Sequence, residues 1–245
     1  MPVAALPRLI YALDYPDVTL ARAGAARVAD HVGMLKVGLE LFVGAGPEAV
    51  RIGDEHNVPV FLDLKLHDIP ETVRRATEAA MRLGAALITV HAAGGPAMLK
   101  AAVEAAGENG SMSVAAVTVL TSFDDSDLSA AGVERSVKNQ VRSLAQMAWD
   151  QGVTTFVCSA HEAALLRKEL GDAARLITPG VRPTSANPRP TKDDQKRVMT
   201  PADAIAAGAD AVVVGRPIRD ALDPAQTARD IHQSIEQAWR QRSSA

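Results

Sequence analysis

The chain has 245 residues, a mass of 25.7 kDa and a near-balanced charge, with 26 Lys+Arg against 29 Asp+Glu for a net of −3. That balance lacks the basic excess expected of a nucleic-acid or anionic-membrane binder. A hydrophobic share of 47% excludes wholesale disorder, and with only 3% aromatic residues the core must be built from Ala, Val, Leu and Ile. The single cysteine, Cys158, excludes an internal disulfide framework and a cysteine-rich zinc site. It sits in the apolar run Thr155-Phe156-Val157-Cys158, so an inert core thiol is expected rather than a nucleophile. Met1 to Asp17 carries no secretory-leader pattern, and no segment offers the ~20 apolar residues of a membrane span. A soluble, cytoplasmic protein is expected.

Short apolar runs and longer Ala-rich stretches alternate along the chain. A first strand, Leu9–Leu13, is followed by a helix that Asp17 can cap. Met34–Val37 precedes a helix starting near Pro47, and Val60–Leu64 precedes one opened by Pro70-Glu71-Thr72. Leu87–Val90 leads to a helix opened by Pro96, and Val114–Leu120 and Thr155–Cys158 follow as strands five and six. Leu176–Thr178 is strand seven. A helix capped by Thr200 with Pro201 just inside it separates that strand from Ala211–Val214. Continuous apolar runs of this kind suit parallel strands buried on both faces.

Eight such strand–helix units in this length predict a single-domain α/β fold, a (β/α)8 TIM barrel spanning residues 1–245. An open doubly wound sheet is the alternative, weakened by the lack of a Gly-x-Gly-x-x-Gly turn after the first strand. The one long irregular stretch, Arg182 to Arg197, follows strand seven, where barrels place phosphate sites or lids. Residues 182–197 are therefore expected to be a phosphate-gripping loop.

Barrel active sites lie at the C-terminal strand ends. Taken in order, those ends carry Asp14, Lys36, Asp63 and Lys65 followed by Asp68, then His91, Thr121-Ser122, Pro179-Gly180-Val181-Arg182 and Gly215-Arg216. So much charge on one rim points to an enzyme. Strand alternation predicts that Asp63 and Lys65 project together, with Leu62 and Leu64 facing the helices. Buried in a barrel, such a pair is either a structural ion pair or, extended by Asp68 and Lys36, an alternating network that keeps a lysine protonated for delivery to a carbanion. Asp63, His67, Asp68 and His91 could also be combined as a metal site, but a protonated Lys65 among them would repel a cation, and His91 reads better as a hydrogen-bonded rim histidine. Arg216 could be an exposed salt-bridging arginine, and Gln195 an ordinary loop glutamine.

Asp63-Leu64-Lys65-Leu66-His67-Asp68-Ile69-Pro70 resembles the signature of the orotidine 5′-phosphate decarboxylase family. The resemblance covers most of the chain. It takes in Asp14 after strand one, Lys36 on strand two and Val119-Leu120-Thr121-Ser122 at the end of strand five. It also takes in Thr178-Pro179-Gly180-Val181-Arg182, Asp194-Gln195-Lys196-Arg197 and Val214-Gly215-Arg216-Pro217-Ile218.

The resemblance implies removal of CO2 from orotidine 5′-phosphate to give UMP in pyrimidine synthesis, without metal or cofactor. It implies Lys65 as proton donor to C6, Asp63 near the departing carboxylate, and Lys36 completing the charge array and touching the ribose. Asp14 would bind a ribose hydroxyl. Asp68 and Thr72 would enter from the second subunit of a homodimer. Thr121 or Ser122 would read the pyrimidine edge, and both stay open. Pro179, Arg182, Gln195, Gly215 and Arg216 would hold the substrate's phosphate end. No nucleic acid or membrane partner is implied.

Two rivals stand beside this. Mg²⁺-dependent 3-keto-L-gulonate 6-phosphate decarboxylase and 3-hexulose-6-phosphate synthase resemble the chain in an Asp-x-Lys-x-x-Asp run, but they tend to carry an acidic residue where Lys36 stands. A non-catalytic phosphate-binding module would keep Arg182 and Arg216 yet has no need of Asp63, Lys65 and Asp68.

Overall fold

The computed structural model describes residues 7–107, 112–183 and 199–244. Eight parallel strands close on themselves in sequence order: β1 (Leu9–Ala12), β2 (Met34–Gly38), β3 (Val60–Leu66), β4 (Ala85–His91), β5 (Ser113–Val117), β6 (Thr155–Val157), β7 (Arg175–Thr178) and β8 (Ala211–Val214). β8 pairs back onto β1, with Val213 opposite Ile10, and this closure rules out the open doubly wound sheet. The connecting helices are α1 (Val18–Ala26), α2 (Leu39–Ala45), α3 (Glu48–His56), α4 (Pro70–Arg82), α5 (Gly95–Ala105), α6 (Asp125–Ala130), α7 (Val137–Asp150), α8 (Ala160–Leu170), α9 (Pro201–Ala206), α10 (Arg216–Arg219) and α11 (Pro224–Ser243).

Local signals set many of these boundaries. The Asp17 carboxylate accepts from the Leu20 amide and the Thr200 hydroxyl from the Asp203 amide, each satisfying a donor that a helix start leaves bare. Several strand ends differ from expectation by one or two residues, and three departures are informative. α2 forms ahead of the helix expected near Pro47; it ends where Gly46 takes φ +58°, a conformation open to glycine. β5 stops at Val117 rather than Leu120, because its neighbours stop there: Val117 pairs with His91 on one side and Val157 on the other. β3 runs on to Leu66, but its register against β4 slips between Leu62 and Leu66. Most of the loop expected over 182–197 lies outside the described residues.

Alternation along the strands divides the core in two. Leu9, Tyr11, Leu35, Leu62 and Ile88 join the large layer between barrel and helices. Ile10, Ala12, Met34, Phe61, Leu87, Ile177 and Val213 form a separate apolar plug. The plug fills the barrel, as side chains of opposite parity must. Two residues beyond members of the plug come Asp14, Lys36, Asp63, Thr89 and Gly215. Apolar packing thus ends where the charged mouth begins.

The opposite end is sealed by Asp210, just before β8. Its carboxylate accepts from Arg167, from Arg242 and from the Leu176 amide. Arg242 also lies over the Trp239 ring, 4.2 Å from its centroid. This cluster ties α8, α11 and the strand starts together, far from the charged mouth.

Candidate active site

Four side chains of alternating charge form a chain across the mouth. Lys36 Nζ lies 3.3 Å from Asp14 Oδ1 and 3.7 Å from Asp63 Oδ2, and Lys65 Nζ donates to Asp63 Oδ1 at 2.8 Å. Burial alone would push the Asp63 carboxyl up. The charges of Lys36 and Lys65, with hydrogen bonds from Lys65 and Thr89, outweigh it and hold the pKa below its ordinary value. Asp63 therefore stays ionised through neutral pH, and the array loses this charge only on strong acidification.

Tertiary structure changes the expected membership. Asp14 joins as the outer carboxylate, held by Lys36 across 22 residues of sequence. Asp68 does not join within the chain: it is exposed, and its Oδ1 accepts from the next amide, Ile69, at 2.6 Å. Thr72 is likewise exposed, in the first turn of α4. Simple strand alternation also fails at Lys65, whose φ is +52°. This left-handed residue sits within the slipped register of β3, so the ammonium reaches Asp63 through a kink rather than along a regular pleat.

Two glycines keep the mouth clear. A Cβ on Gly38 would come within 2.9 Å of Lys36 Nζ, and one on Gly215 within 3.0 Å of Asp14 Oδ2. The loop carrying Asp14 is pinned from β8's side, where Arg219 of α10 donates to the Asp14 carbonyl at 2.6 Å. Gly215 and half-buried Arg216 lie at the junction of β8 and α10. Thr121 and Pro179 share a cleft with Phe123, Ser159, Glu162 and Met199; Ser122 does not line it. The Arg182 amide donates to the Met199 carbonyl at 3.0 Å, while Gln195 lies outside the described residues.

The sequence reading missed Thr89. It is fully buried on β4 and touches both Asp63 and Lys65. Its parity with Leu87 of the plug was the available signal. His91 packs at 5.5 Å, ring to ring, against His67. Burial, then His67 and Lys65, hold its imidazole below its ordinary pKa. Among the described residues no group of three His, Cys, Asp or Glu is placed to hold a metal, so Asp63, His67, Asp68 and His91 are not gathered into the set considered above. Cys158 is buried and its thiol pKa is driven up by burial, in keeping with a core residue. Among the described residues no helix is long and apolar enough to cross a membrane.

Closed barrel and charged mouth together define a (β/α)8-barrel enzyme, with its chemistry at the C-terminal strand ends. The orotidine 5′-phosphate decarboxylase / HUMPS family matches residues 7–231, and the chain belongs to that family. It is 52% identical over 224 residues to the orotidine 5′-phosphate decarboxylase of Anaeromyxobacter sp. (strain K), covering 91% of this chain and 96% of that one. The namesake enzyme of Thermobifida fusca (strain YX) is 52% identical over 220 residues, covering 89% and 91%. A crystal structure of orotidine 5′-phosphate decarboxylase from Lactobacillus acidophilus superposes with a TM-score of 0.80 at 34% identity, covering 94% of this chain and 99% of that one.

Proposed function

We infer that the chain decarboxylates orotidine 5′-phosphate to UMP and CO2, with Lys65 protonating the pyrimidine. The observation that carries the mechanism is the Lys65 ammonium fixed 2.8 Å from the Asp63 carboxylate in the mouth of the barrel. The bond from C6 to the carboxylate breaks and CO2 departs. Its electron pair stays on C6 and takes a proton from Lys65 Nζ, and the neutral amine is reprotonated from solvent. A fixed ammonium stabilises the carbanion as its charge develops and needs no reorganisation at that moment. Asp63 keeps the Lys65 ammonium aimed.

Lys36 and Asp14 face the ribose in this reading, with Thr121 or Ser122 at the base. Pro179, Arg182, Gln195, Gly215 and Arg216 take the phosphate. Binding energy gathered at that remote anion is available at the reacting carbon. Asp68 and Thr72 complete the neighbour's site across a cytoplasmic homodimer. The exposed aliphatics Leu39 and Val43, after β2, and Ile69, after β3, support an interface on this rim. A lone cysteine suits a reducing compartment.

The Mg²⁺-dependent rivals are disfavoured by Lys36. Its ammonium lies between the two carboxylates, Asp14 and Asp63, that a cation would otherwise bridge. The test is direct: purified protein mixed with orotidine 5′-phosphate in EDTA should bleach the substrate's ultraviolet absorbance at the same rate as without chelator. Activity that returns only with added Mg²⁺ would favour the rivals.

Replacing Arg216 with Ala removes a charge-assisted phosphate contact worth roughly 1.5–3 kcal/mol. We expect KM to rise at least about tenfold, with kcat falling as well if the contact drives loop closure. An unchanged KM would take Arg216 out of the phosphate site.

A further inference from the structure

The Lys65 kink raises a question of support. A non-glycine residue at φ +52° is strained and persists only where its surroundings hold it. The register slip between Leu62 and Leu66 takes the Lys65 amide out of the regular β3–β4 ladder. That amide donates instead to Thr89 Oγ1 at 2.8 Å. The same hydroxyl lies 3.0 Å from Asp63 Oδ1.

Donor and acceptor roles here follow from chemistry alone. The Lys65 N–H can only donate and the ionised Asp63 carboxylate can only accept, so the single hydroxyl proton goes to Asp63 and a lone pair receives the amide. Asp63 Oδ1 therefore takes two donors, Thr89 Oγ1 and Lys65 Nζ, which leaves Oδ2 turned toward Lys36. One buried hydroxyl fixes both the plane of the carboxylate and the backbone from which Lys65 springs.

Resting on the assignment of Lys65 as proton donor, we propose that Thr89 is a positioning residue of this active site. Its hydroxyl, shared by the Lys65 backbone and the Asp63 carboxylate, sets the orientation in which Lys65 Nζ meets the reacting carbon. It touches no substrate itself; it acts through its two neighbours.

The test compares Thr89→Val, of matching shape without the hydroxyl, with Thr89→Ser, which keeps it. Misplacing a catalytic group by about an ångström costs on the order of a hundredfold, so kcat of Thr89→Val should fall by roughly 30- to 100-fold. Its KM should stay within about threefold, since phosphate and ribose contacts are untouched. Thr89→Ser should lie within about threefold of wild type in both constants. Wild-type kcat in Thr89→Val overturns the proposal, as does equal impairment of the Ser and Val variants, which would assign the effect to methyl packing. If Thr89→Val does not fold, Thr89→Cys keeps the size with only a weak donor; it should lose at least about tenfold in kcat, and no loss again overturns the proposal. Lys65→Ala, run alongside, separates the two levels. If that variant is inactive while Thr89→Val is unimpaired, only the positioning role fails; if it is active, the assignment of Lys65 fails.

Discussion

Lys65→Ala should be essentially inactive, with kcat reduced by at least about 10⁴-fold. Two contributions are lost together. Positioned proton transfer is worth about 10²–10⁴ in rate, and a preorganised charge at a developing anion about 10²–10³. The two lower limits together give about 10⁴, and because both share one ammonium the expectation is set at that bound rather than at the product of the upper limits. Substrate affinity should change far less, because the residues proposed to hold the phosphate follow β7 and β8, whereas Lys65 is on β3. Alanine at position 65 inherits the left-handed backbone, and Thr89 still holds its amide, so the kink should survive. The measurement is kcat from stopped absorbance assays, paired with the calorimetric affinity for UMP to show an intact pocket. A variant that turns over within tenfold of wild type while binding UMP normally would remove Lys65 from the role of proton donor.

Mixing two dead variants should restore activity. In the folded chain Asp68 is exposed, with its carboxylate engaged by the Ile69 amide, and Ile69 beside it is 67% exposed. A segment so exposed is open to a neighbour's site across the two-fold axis of the proposed dimer, and symmetry makes the loan reciprocal. Lys65→Ala and Asp68→Ala should each be inactive as pure dimers. In a mixed dimer one site collects both defects, while the other keeps its own Lys65 and receives an intact Asp68. Random exchange puts about half of all dimers in that state, so co-expressed or co-refolded mixtures should reach about a quarter of wild-type activity. Fully exchanged mixtures that stay as inactive as their parents would mean that each site is built within one chain.

Much of this protein is written locally. The eight strands could be read because each is a short apolar run bounded by polar or glycine residues, and the caps at Asp17 and Thr200 because capping is settled within three residues. The charged mouth was legible for a similar reason. A strand's last residues reach the rim whatever its neighbours are, so the sequence alone places Lys36, Asp63 and Lys65 together. What the sequence could not determine depends on pairing across the chain. The kink at Lys65 comes from a register slip between β3 and β4, which no periodicity within β3 announces. Thr89 enters the site from 24 residues away because β4 lies beside β3, and Asp14 reaches Lys36 because β1 pairs with β2. Asp68, grouped with Lys65 by spacing, is exposed between β3 and α4, its carboxylate bonded to the next amide rather than to the array. Local chemistry determined which residues stand at the mouth; the closure of the barrel decided which of them touch, because contact there is set by strand register rather than by distance along the chain.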